Sequence, residues 1–148
     1  MKYRYAVLGI LLIVAGCASS TSSMTSSSAP AVQIQLTQNE ISPDMYYFRG
    51  PVALQFGLQV TNPTDQTLHL RRLNLSTTGP GAYSLRTGDS PMNYAIPPNG
   101  SVTIPLSAWA YSQGGFMRAT EPVNILGRAW FEGPSGTFVK QFTQYIPQ

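Results

Sequence analysis

Between Val52 and Thr77 the chain reads VALQFGLQVTNPTDQTLHLRRLNLST. Val52, Leu54, Phe56, Leu58 and Val60 alternate with Ala53, Gln55, Gly57, Gln59 and Thr61. A period of two is the signature of a strand with one face on a core and the other in water. Asn62-Pro63-Thr64-Asp65 ends it, because proline has no N–H for a ladder and Asn and Asp bond back to nearby backbone. A second strand starts with Leu68 and Leu70, but Leu73 and Leu75 have the opposite parity. The slip at Arg71-Arg72 predicts a β-bulge. Two such strands on so short a link form a hairpin or a corner, and the rest of the chain must cover their apolar face.

The rest of the chain repeats that grammar. Val32, Ile34 and Leu36 alternate; Tyr83 and Leu85 mark a short strand; Met92, Tyr94 and Ile96 alternate up to the turn Pro97-Pro98-Asn99-Gly100. Val102, Ile104, Leu106, Ala108 and Ala110 form a longer strand, in which Pro105 predicts an edge or a bulge because it lacks a ladder donor. The segment from Val123 to Phe131 is apolar on both parities, which predicts a strand that is central or covered by a loop, and Thr137 to Ile146 is the last. Thirteen glycines and twelve prolines fall between these runs rather than in one tract. With no amphipathic helical pattern, the expectation is all-β: an immunoglobulin- or fibronectin-III-like antiparallel β-sandwich of seven or eight strands over residues 31–148. At 43% hydrophobic and 10% charged residues, 148 residues suffice for one domain with a core.

The N-terminus reads as an address. Met1-Lys2-Tyr3-Arg4 is basic, and the apolar run from Ala6 to Val14 is too short to span a bilayer, so residues 1–16 read as a secretory signal. The run closes on Val14-Ala15-Gly16-Cys17, which resembles the bacterial lipoprotein cleavage box. That resemblance implies lipid on Cys17, whose thiol is the nucleophile for diacylglycerol transfer. It also implies, from Ala18 in place of Asp, forwarding to the outer membrane, with the periplasmic face expected. As the only cysteine, Cys17 leaves no disulfide for the domain. Residues 18–29, ASSTSSMTSSSA, carry too little apolar surface to fold and make, with Cys17 and Pro30, a tether reaching roughly 20 Å.

Without the signal, seven basic residues face six acidic ones, a balance of +1, and only Arg71 and Arg72 are adjacent. That is no nucleic-acid footprint. Arg71-Arg72 at a bulge could be aimed at an anion, but exposed charge generally just solvates a face, and that is the expectation. His69, the only histidine, lies on the polar parity of its strand. The acids are scattered singly, with no glycosidase pair, calcium loop, zinc spacing or nucleophile elbow. The chain therefore reads as non-enzymatic, without cofactor, metal or small-molecule substrate. Two aromatic stretches remain as candidate contacts for an envelope protein: Tyr46, Tyr47 and Phe48, and Trp109, Tyr111, Phe116 and Met117. The competing reading is that these rings close the ends of the sandwich.

Three segments together carry a family resemblance: Val-Thr-Asn-Pro-Thr-Asp from Val60, the run from Ile96 to Leu106, and Leu126 to Phe138. In this order they resemble the late-embryogenesis-abundant type 2 or WHy domains, single immunoglobulin-like sandwiches linked with water stress and often found in bacterial lipoproteins. The resemblance implies envelope protection under stress. The other expectation is an accessory subunit of an envelope assembly, such as a secretion or pilus system, recruiting a partner by strand addition or by the aromatic loops.

Overall fold

The computed structural model describes residues 29–40, 44–86 and 88–148. The signal segment 1–16, Cys17 and the tether to residue 28 lie outside the described residues, as do residues 41–43, Thr87 and the side chains of Met45, Tyr46 and Phe116. In chain order the elements are β1 (Gln33–Glu40), α1 (Asp44–Tyr47), β2 (Gly50–Asn62), β3 (Leu68–Thr78), β4 (Tyr83–Leu85), β5 (Asp89–Ile96), β6 (Gly100–Ser112), α2 (Phe116–Ala119), β7 (Val123–Gly133) and β8 (Gly136–Ile146). The strands make two antiparallel sheets of four, ordered β1-β2-β6-β4 and β5-β3-β7-β8. This is the expected β-sandwich. The two helices are single turns in loops.

β2 and β3 lie in different sheets, so the turn after Val60 is a corner and not a hairpin. The corner works because each strand then turns its buried residues toward the other sheet: Leu54, Phe56 and Leu58 from one, Leu68, Leu70 and Leu73 from the other. Each large side chain so buried contributes about 1.5–3 kcal/mol. Asn62 holds the corner. Its side chain is fully buried, yet every polar atom is used. Nδ2 donates to the carbonyls of Gln66 (2.7 Å), Ile96 (3.3 Å) and Pro97 (3.1 Å), and Oδ1 accepts from Thr64 N (3.0 Å) and Oγ1 (2.7 Å). One asparagine thus ties the β2–β3 corner to the β5–β6 turn, where Asn99 adopts a φ of 48° and donates its N–H to the Thr64 carbonyl.

The bulge is where the leucine parity placed it. Leu70 faces Phe131 and Arg72 faces Trp130, which leaves Arg71 as the extra residue. β7 is central between β3 and β8, with Ile125, Ala129 and Phe131 buried on one face. Gly127 on the same face has no room for a side chain, because a Cβ there would lie 2.1 Å from Cζ of Phe142, its partner on β8. Phe138 stacks on Phe131 at 5.3 Å beside it.

Candidate functional site

The two aromatic stretches, about sixty residues apart in sequence, meet at one end of the sandwich. The reason lies in the register of β2 and β6. Gly50, at the start of β2, pairs with Ser112, at the end of β6. The loop carrying α1 therefore comes in beside the loop carrying α2, and the two helices touch. Gly114 makes the approach close: its φ is +66°, and a Cβ on it would sit 2.8 Å from Cβ of Arg49. Only glycine fits both the conformation and the space.

Tyr47, Phe48, Trp109 and Tyr111 do not close the core. Tyr47 is 88% exposed and Met117 83%, and Phe48 is half exposed against Gly50. Trp109 and Tyr111 point out from the first sheet, as their phase on β6 requires, with Trp109 63% exposed. Their cross-strand partners on β2 are Ala53 and Pro51, too small to cover them. Together with Leu85 and Arg86 the two rings line a shallow surface pocket. Arg49, Arg86 and Arg118 stand at this end with the acids Asp44 and Glu121, all exposed.

The Arg71-Arg72 pair is committed elsewhere. Arg71 Nε donates to Glu132 Oε2 at 2.7 Å and Nη1 to Asn93 Oδ1 at 2.9 Å. Arg72 Nη1 donates to Asp89 Oδ2 at 3.2 Å, and its guanidinium lies 3.9 Å from the Trp130 ring centre. The bulge thus aims both cations at the protein's own outer face. His69 sits half-buried on that face, between Ala95 and Glu132 on the neighbouring strands. No group of three or more metal-ligating side chains occurs among the described residues.

Among the described residues the buried titratable group is Tyr83, which the sequence placed in a short strand without a role. Its hydroxyl donates to Gln38 Oε1 at 2.7 Å, joining β4 to β1 across the end of the core. Burial pushes its phenol well above the usual tyrosine range, opposed by a weaker contact with Gln148. At physiological pH it is neutral, and its hydroxyl is held as a donor to Gln38.

The opposite end holds the N-terminal approach. Ala29 and Pro30 line a depression with residues of the β2–β3 corner and of the β7–β8 turn. β2 separates the two ends by thirteen residues, about 40 Å at the usual strand rise. No helix among the described residues is long and apolar enough to cross a membrane.

No family model matches the chain, and no curated protein matches it. Solved structures do. A structural genomics target, SoR45, superimposes with a TM-score of 0.53 at 13% identity, over 79% of this chain and 85% of that one. A protein from Archaeoglobus fulgidus gives 0.51 at 10% identity, over 76% and 91%. A protein described as late embryogenesis abundant gives 0.46 at 16% identity, over 78% and 72%. At such identities the first two show a shared fold, and the third adds no weight to a family.

Proposed function

We propose that this chain is a lipid-tethered, non-catalytic β-sandwich that presents its aromatic end to an envelope protein. The observation that carries the reading is the convergence of Tyr47, Phe48, Trp109, Tyr111 and Met117, all exposed, at the end remote from Ala29 and Pro30. Singly exposed rings are ordinary, whereas several on one end, interspersed with arginine, have the composition of a contact surface. Lipid on Cys17 and a tether through residue 30 put the corner end toward the membrane. The aromatic end then faces away from that bilayer, which favours a protein over the anchoring lipid as its partner.

The test is photo-crosslinking in intact cells, with a photo-reactive residue at Tyr47 or Met117 and Cys17 retained. The expected result is one stoichiometric protein partner. Recovery of lipid, or of many proteins at low yield, would instead support a protectant acting alone under water stress.

A further inference from the structure

One side of β6 is open. β4 pairs only with Ala110–Ser112, so from Gly100 to Ala108 the edge away from β2 has no neighbouring strand among the described residues. Ladder geometry identifies the groups left there. The Trp109 carbonyl accepts from Arg86 N–H at 3.0 Å on the β4 side, and antiparallel strands turn the backbone groups of alternate residues to alternate sides. Ser101, Thr103 and Ser107 therefore present both N–H and C=O outward. Pro105, of the same parity, presents a carbonyl alone. Its missing donor costs the β2–β6 ladder nothing, and it blunts the edge without closing it.

The inward side chains of this stretch are unsealed. Leu106 and Ala108, with Leu75 and Met92 from the second sheet, pack on the core but stay half-buried. They line a groove of about 250 Å³ between the sheets. Arg86 stands at its β4 end, exposed, with no ion pair among the described residues, and the lining contains no acid.

We infer that this groove takes an extended segment of a partner protein, laid along β6 as an added strand with alternate apolar side chains in the groove and a carboxylate on Arg86. The occupant follows from charge and from what a strand has to offer. An edge strand of a second copy has its apolar side chains committed to its own core, so it supplies backbone pairs and nothing to fill the groove. The chain's own Ala18–Ala29 has one large apolar residue, Met24, and no acid. An unfolded segment of another protein, apolar at every second position and acidic beside that run, meets both requirements.

Selection of random twelve-residue peptides displayed on phage against the full chain tests this. The expected peptides alternate apolar residues next to Asp or Glu and lose about tenfold in affinity on Arg86→Glu. They lose about fivefold on Ser107→Pro, which removes one more outward N–H, and gain several-fold on Pro105→Thr, which adds one. All three changes are at exposed positions, and circular dichroism of each variant checks the fold. Selection of no peptide, or of peptides indifferent to all three variants, overturns the inference. Crosslinks from Tyr47 and Met117 read the aromatic end separately, so either surface can fail without the other.

Discussion

Asn62 carries more of the architecture than any other single polar residue described. Its five hydrogen bonds join backbone from the β2–β3 corner to the β5–β6 turn. Asn62→Ala strands buried carbonyls and is expected to cost about 2–4 kcal/mol in chemical denaturation. Asn62→Asp keeps the shape but turns an amide donor into an acceptor facing three carbonyls, so its loss at neutral pH should exceed that of alanine. A smaller loss for aspartate would mean that the accepted bonds from Thr64 dominate the corner. Tyr83 makes a prediction about pH. Burial raises its folded pKa above the unfolded value near 10, so its contribution is fully present below about pH 10 and declines as pH rises beyond. Wild-type stability should fall more steeply between about pH 10 and 11 than that of Tyr83→Phe, which itself costs about 1 kcal/mol at neutral pH for the lost bond to Gln38. Parallel pH profiles would exclude Tyr83 as the source. Asn62-Pro63 was legible as turn chemistry; that Asn62 reaches the Ile96 and Pro97 carbonyls was not, because those partners lie more than thirty residues away.

At the scale of elements, the bulge in β3 is an insertion the sheet tolerates. With Arg71 removed, Leu70, Arg72 and Leu73 still alternate inward, outward, inward, and Leu70 and Arg72 keep their partners Phe131 and Trp130. Deleting Arg71 should therefore leave a folded protein, weaker by about 1 kcal/mol for the half-exposed pair with Glu132. Deleting Asn74 reverses Leu75 and everything after it, and should lower the thermal midpoint far more. Equal midpoints would show that β3 can slip its register. The parity of four leucines was enough to locate this bulge. The smaller one in β1, between Gln38 and Glu40, left no mark, since polar residues on both sides of it carry no phase. For the same reason the single-turn helices α1 and α2 have no period to read.

For the whole molecule, the consequence is polarity. Because its only cysteine is Cys17, a cysteine introduced at Ser135 or Met117 can be labelled alone once Cys17 carries lipid. On vesicles with headgroup spin labels, the fluorophore at Ser135, beside the Ala29–Pro30 end, should be quenched more than that at Met117; equal quenching would refute the orientation. The alternation of apolar residues was sufficient by itself for seven or eight strands and an outward phase for Trp109 and Tyr111; it left β7 as central or loop-covered, and Pro105 left β6 as an edge or a bulge. All of these are local, since a strand's period and a proline's missing donor are properties of neighbouring residues. Only the tertiary structure decided that β2 and β3 part into different sheets, that the loops of α1 and α2 share an end, and that β4 stops after three residues and leaves a groove. Those outcomes depend on pairing between segments tens of residues apart, where the same alternation fits several partners and packing of the core selects one.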